Sequence, residues 1–373
     1  MNKKYDENLL NLLKERAVED TYMGAPLLIK RIPESDEIGA VDPRLYEDMK
    51  KQLQILKILP NKMLKIDTSE KGIANSRKMF NAIKSVPSCT KEITIDEIKV
   101  KASDGYEIAM FHYYQSDTTK RSPVLFYMHG GAFFGGHHGV VEESLKLMCE
   151  KFAFSIISVD YRLAPEHPYP YGHEDCYTAL KWVVENADAL CVNKDLLFVG
   201  GDSAGGNFAQ YCSTRDLEEN AGMIKGQLLL YPTLNMAGIE DDYFHWSIDQ
   251  YQMTQKQAKE LTKMLSMFSS MYEGLEPVLK VKDSKNDYLN PYTKNPKNNP
   301  PTFLAVGEHD YLKIENLGYG AKLFHAHVRV KMILYKGFGH AFFDNTGVYP
   351  QCSDCIEEMG RFILDIASSY DKR

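Results

Sequence analysis

Ser203 stands in Gly201-Asp202-Ser203-Ala204-Gly205, a G-x-S-x-G pentapeptide that follows the apolar run 196–199 and precedes Gly206. A hydroxyl at a tight strand-to-helix turn, with small residues on both sides and helix N–H groups behind it, is the arrangement that turns serine into a nucleophile. The bland alternative is a Gly-rich turn that happens to contain a serine. A nucleophile needs a base, an acid to orient the base, and N–H donors for the oxyanion that forms. Of eleven histidines, His340 in YKGFGHAFF falls just beyond the last predicted strand, where Gly337 and Gly339 leave its ring free to be aimed. Asp310 in VGEHDYL follows the predicted strand 303–306 and fits the chain order serine, acid, histidine; Glu308 is its competitor.

The donors would come from backbone N–H groups in His129-Gly130-Gly131-Ala132, joined by Ala204 after the nucleophile. A phosphate-binding loop is the rival meaning of these glycines, but neither a G-K-[ST] ending nor a G-x-G-x-x-G pattern accompanies them. His129, His137 and His138 lack a carboxylate at a familiar zinc spacing, so neither a metal nor a cofactor is expected, and His129 reads as a loop-fixing residue.

These residues need strands to carry them. Residues 93–100 and 108–112 flank Asp104-Gly105 as two strands about a turn, and the runs 124–128, 154–159, 196–199, 226–230, 303–306 and 328–334 read as buried strands. Helical patterns alternate with them at 173–188 and 357–366, which argues a mostly parallel, eight-stranded sheet covered on both faces. Residues 1–90 read as helical. Asp42 offers an N-cap and Pro43 a first helical residue, with Leu45, Met49, Leu53, Leu56 and Leu59 recurring on one face until Pro60; residues 69–84 make a second helix. Residues 235–292 break the strand rhythm as an insertion, in which Thr254 and Gln257 form a capping box before Ala258, Leu261, Leu265, Phe268 and Met271.

The chain of 373 residues is 44% hydrophobic, enough for a large core, and its formal net charge of −7 with dispersed Lys and Arg argues against a nucleic-acid partner. The N-terminal residues are charged throughout and no run reaches the ~18 apolar residues of a membrane span, so a cytoplasmic location is expected. Cys89, Cys149, Cys176, Cys191, Cys212, Cys352 and Cys355 are an odd set and read as free thiols; the lone CxxC at 352–355 reads as helix packing. A homodimer is the ordinary expectation for a soluble enzyme of this kind.

HGGAFFGG, DYRLAPEHPYP, GDSAGGN, PPTFLAVGEHDYL and GFGHAF, in that order, resemble the hormone-sensitive-lipase-like branch of the α/β-hydrolases, the microbial carboxylesterases with an HGGG motif. The resemblance runs from about 93 to 368. It implies an α/β-hydrolase domain at 91–373, with a helical cap built from 1–90 and the insertion 235–292. Matched position by position, it implies Ser203 as nucleophile, Asp310 as acid and His340 as base. The oxyanion donors fall on Gly131, Ala132 and Ala204, with Gly130 supporting the loop. Asp160, Arg162, Glu166 and Asp202 fall on residues that buttress loops. Ala132 replaces the third glycine of the motif; its N–H survives while its methyl narrows the space beside the acyl carbonyl.

The activity implied is hydrolysis of small-molecule carboxylic esters with short to medium acyl chains, approached through apolar residues. Phe133, Phe134 and Phe342 lead these, with Tyr251, Met264, Phe268 and Phe338 also named; core packing explains many of them equally well. Removal of acetyl groups from sugars or other small molecules is the alternative chemistry, and a ligand-binding homologue without catalysis is a further one, against which His340 stands.

Overall fold

In the computed structural model, which describes residues 4–57, 67–116, 122–283 and 285–370, every run read as a strand lies in one sheet. Helix α1 (Glu7–Glu15) is followed by strands β1 (Val18–Tyr22) and β2 (Ala25–Lys30), then by α2 (Pro43–Lys57) and α3 (Glu70–Phe80). Strands β3 (Thr94–Lys101), β4 (Glu107–Tyr114) and β5 (Ser122–Met128) lead into α4 (His138–Phe152), and β6 (Ser155–Asp160) into α5 (Tyr171–Glu185). β7 (Val192–Asp202) runs into α6 (Ala204–Glu218), and β8 (Ile224–Leu230) into a stretch that holds α7 (Ala258–Glu273) and α8 (Leu275–Leu279). β9 (Thr302–Gly307), α9 (Lys313–His325), β10 (Val330–Tyr335) and α10 (Pro350–Tyr370) complete the order.

Across the sheet the strands run β1, β2, β10, β9, β8, β7, β5, β6, β4, β3. Pairing is parallel from β2 to β6, whereas β1, β4 and β3 run antiparallel to their neighbours. Successive side chains of a strand point to opposite faces. Val124, Phe126 and Met128 of β5 therefore join the cluster that contains Leu180 of α5 and Phe208 of α6. Leu125 and Tyr127 join the cluster that contains Leu145 of α4 and Ile356 of α10. Burial on both faces is why these strands read as continuous apolar runs.

The expected fold class holds, but the sheet has ten strands where eight were expected, because residues 18–30 form a hairpin in a region read as helical. Met23 (φ 48°) and Gly24 (φ 80°) make its turn, both in the left-handed region that a two-residue hairpin requires. β1 is exposed or half-buried along its length, so no period-2 burial signal marks it; β2 is held by pairing with β10.

Asp42 caps α2 by accepting the Arg44 N–H at 3.0 Å, with Pro43 as the first helical residue. The expected continuation to Leu59 and Pro60 lies outside the described residues. The capping box at Thr254 takes a different form: the Gln257 side-chain oxygen accepts the Thr254 hydroxyl and the Val41 N–H, each at 3.0 Å. That second bond ties the insertion to the N-terminal region, as does the packing of Val41 and Met49 on Leu261. Cys352 and Cys355 are free thiols buried in α10.

Candidate active site

Ser203 sits between the end of β7 and the start of α6 with φ 55° and ψ −117°, a conformation non-glycine residues avoid and that costs roughly 1–3 kcal/mol. It is held there by backbone bonds. The Ser203 N–H donates to Leu230 O at 2.9 Å, and Ser203 O accepts from Gly206 and Thr233, each at 3.0 Å. The turn leaves no room for side chains: a Cβ at Gly205 would lie 2.0 Å from Met128 O.

The three residues taken from three separate motifs converge. His340 Nε2 lies 2.9 Å from Ser203 Oγ, and His340 Nδ1 lies 2.8 Å from Asp310 Oδ2. Because the carboxylate only accepts, Nδ1 carries the proton and Nε2 is left as the acceptor for the serine hydroxyl. Asp310 is 1% exposed; its Oδ1 accepts the Leu312 N–H at 2.9 Å, and the Tyr251 hydroxyl donates to the backbone oxygens of Asp310 and Tyr311 at 3.0 and 2.9 Å. The His340 ring is flanked edge-on by Tyr231 and, from α7, by Phe268, with centroids at 4.8 and 4.7 Å. Glu308 faces elsewhere. It pairs with Lys336 and accepts the Gly337 N–H at 2.9 Å, so it fixes the turn that leads to His340.

The loop after β5 runs beside this relay. Gly130 gives its N–H to Asp202 Oδ1 at 3.0 Å, an oxygen that also accepts the Tyr127 hydroxyl at 3.0 Å, so Gly130 supports the loop and is not a free donor. The N–H groups of Gly131 and Ala132 donate to nothing among the described residues. Ala132 and Phe133 hold φ of 54° and 66°, and a Cβ at Gly131 would lie 2.1 Å from Gly135 O. Burial, and then the charge of Asp344, push the Asp202 carboxyl above the usual carboxylate range. His129 does fix this loop: its Nδ1 lies 2.7 Å from Gly130 O, its ring stacks on Tyr161, and burial lowers its pKa.

The aromatic expectations divide. Phe134 has no exposed surface and meets Phe80 edge-on, while Phe133 packs on Phe208 and His173; neither borders the cavity beside His340, so both belong to the core. Phe342 does border that cavity of about 400 Å³, together with Met264, Phe268 and Phe338. Tyr251 is committed to the Asp310 turn. Arg162 reaches Asp175 through two bonds of 2.8 and 2.6 Å, a buttress under the 160–165 loop. Sequence reading missed Tyr127, Tyr231 and Tyr251 as supports. Only Tyr127 carried a signal, a hydroxyl inside an otherwise apolar buried strand.

A mostly parallel sheet whose strand ends present a Ser–His–Asp relay beside free loop N–H groups defines a hydrolase of the α/β class. The family described by the alpha/beta hydrolase fold matches residues 125–344, and the chain belongs to it. The chain is 28% identical to the carboxylesterase NlhH of Mycobacterium tuberculosis over 305 residues, which cover 80% of this chain and 91% of that one. It is likewise 28% identical over 244 residues to the esterase LipI of the same organism, across 62% of this chain and 69% of the relative. Among solved structures, a hyperthermophilic esterase from Pyrobaculum calidifontis superposes with a TM-score of 0.68 at 24% identity, covering 88% of this chain and 99% of its own. The motif-based resemblance to the hormone-sensitive-lipase-like branch is borne out by these likenesses.

Proposed function

We propose that this chain hydrolyses carboxylic esters of small molecules through an acyl-serine, with Ser203 as nucleophile, His340 as base and then acid, and Asp310 as orienter. The observation that carries this reading is the unbroken relay of 2.8 and 2.9 Å from Asp310 through His340 to Ser203. Ser203 Oγ bonds to the carbonyl carbon as its proton passes to His340 Nε2, and the carbonyl π pair moves onto oxygen. The Gly131, Ala132 and Ala204 N–H groups receive that oxyanion. Its collapse breaks the bond to the alkoxide, which takes the proton from His340. Water then repeats the sequence on the acyl-serine and releases the acid. Asp310 holds the imidazolium through its bond to Nδ1.

The cavity of about 400 Å³ beside His340 is bordered by Phe268, Met264 and Phe342 on one side and by Asp48, Lys51 and Lys84 as well, and its apolar part supports acyl groups of short to medium length. Helix α2, through Leu45 and Met49, and helix α7 of the insertion, through Leu261 and Phe268, serve as the cap over it, with Phe268 in contact with His340. Intact-protein mass spectrometry after a fluorophosphonate, beside turnover of p-nitrophenyl esters from acetate to decanoate, tests the reading. One adduct on Ser203 and a maximum at the shorter chains are expected. No adduct and no turnover in folded protein would overturn it.

A further inference from the structure

The oxyanion loop is gripped from a side that the sequence placed outside the catalytic domain. Three residues at the end of α3 meet it. Arg77 Nε donates to Phe134 O at 2.6 Å and its Nη2 to Ala164 O at 2.7 Å, while Glu166 holds Nη1 at 2.7 Å. Asn81 Oδ1 accepts the Gly136 N–H at 2.8 Å, and the Phe80 ring stands edge-on to Phe134 with centroids 5.3 Å apart. Between the anchor at Gly130 and these contacts run Gly131, Ala132 and Phe133, with φ of 127°, 54° and 66°. Glycine takes up that region freely; alanine and phenylalanine do so only where their surroundings over-determine it. The hydrolase core supplies the Asp202 bond to Gly130 and the Ala164 N–H to Phe133 O at 3.1 Å. The far end of the loop is fixed by α3.

We propose that Arg77 and Asn81 are positioning residues for the oxyanion hole, holding 131–136 so that the Gly131 and Ala132 N–H groups are aimed at the developing negative charge. Neither side chain touches substrate. The proposal rests on the acyl-transfer reading above, and it makes the N-terminal region part of transition-state stabilisation as well as a cover. An oxyanion exists only after attack, so loosening its donors lowers kcat and leaves ground-state binding in place.

The test uses the full chain carrying Arg77→Ala, Arg77→Lys or Asn81→Ala, with active sites counted by fluorophosphonate titration. Turnover of p-nitrophenyl acetate is read beside inhibition by an alkyl trifluoromethyl ketone. Ser203 Oγ adds to that carbonyl as its proton moves to His340, which leaves an oxyanion that cannot expel a leaving group. Arg77→Ala and Asn81→Ala are each expected to lower kcat per titrated site about tenfold, with KM within about twofold and the ketone inhibition constant raised in step with the kcat loss. Arg77→Lys, which keeps one donor for Phe134 O, recovers part of kcat. Unchanged kcat per site and unchanged ketone affinity in Asn81→Ala and Arg77→Lys would overturn the proposal, even if Arg77→Ala failed to fold or the variants melted earlier. A wild-type chain with neither turnover nor adduct would instead overturn the ester-hydrolase reading itself.

Discussion

Asp310 and Glu308 are both buried and stand two positions apart, yet their partners separate their work. One carboxylate meets His340 Nδ1, and the other meets Lys336 and the Gly337 N–H. Asp310→Asn is therefore expected to lower kcat by ~10³–10⁴ through loss of the correct imidazole tautomer, whereas Glu308→Gln keeps an acceptor for Gly337 and loses less than about tenfold. Steady-state kinetics of the two variants at one pH checks this, and comparable losses would contradict the division. A third buried carboxyl sets a pH dependence. Glu315 accepts the Leu234 and Asn235 N–H groups, but burial outweighs those bonds and pushes it up to about 8. Since the folded value lies above the unfolded one, the native state holds the extra proton. Its contribution is complete below the ordinary glutamate range and is lost as pH rises toward 8, at up to ~1.4 kcal/mol per pH unit. Glu315→Gln keeps the accepting oxygen and removes the titration. Its melting temperature should fall less than that of the wild type between about pH 5 and 8; equal slopes would show that Glu315 does not titrate there.

The hairpin β1–β2 is the element least visible in the sequence and among the most firmly attached. β2 pairs with β10, and its last residue, Lys30, is 3% exposed with Nζ donating to Asp354 Oδ1 at 2.9 Å and Glu358 Oε1 at 2.8 Å on α10. Removing this cation leaves the buried Asp354 with the Tyr335 hydroxyl at 2.9 Å and no cation of its own, while Glu358 keeps Lys331 and Arg361. Lys30→Met is therefore expected to cost ~3–5 kcal/mol and roughly 5 °C or more in melting temperature, with ester turnover below the transition unchanged, because among the described residues the side chains of Lys30, Asp354 and Glu358 make no bond to Ser203, His340 or Asp310. Thermal melts beside activity at a low temperature check both halves. The contrast with β5 and β7 explains what could be read. Strands buried on both faces write themselves as apolar runs, and Ser203, Asp310 and His340 follow such runs on glycine-punctuated turns, so their convergence was legible. An exposed outer strand such as VEDTY has no such pattern. Phe133 and Phe134 were ambiguous for a related reason: an aromatic in a loop reads the same whether it lines a pocket or fills a core. Arg77 gave no signal at all, because two of its partners are backbone carbonyls far along the chain.

At the scale of the molecule, Ser203, Asp310 and His340 follow the C-terminal ends of β7, β9 and β10, and the oxyanion loop follows β5. Parallel pairing brings those ends to one edge, which is why residues so distant in sequence meet. The N-terminal region then serves that edge in two ways. Its helices reach the 131–136 loop and the insertion, while its hairpin closes the open side of β10, the strand that leads to His340. Removing residues 1–40 would strip the pairing partner from β10, expose a row of its N–H and C=O groups, and strand Asp354 and Glu358 without Lys30. A shorter deletion of residues 1–16 removes only α1, which packs on α10 through Leu10 and Leu13 and leaves the hairpin in place. The longer deletion is expected to yield aggregated or unfolded protein, and the shorter one a soluble, active chain with a lowered melting temperature. Size-exclusion chromatography with thermal melting of both deletion variants decides it. A monodisperse 1–40 deletion that melts like the wild type would mean that the hairpin is an appendage and that β10 is a stable edge without it.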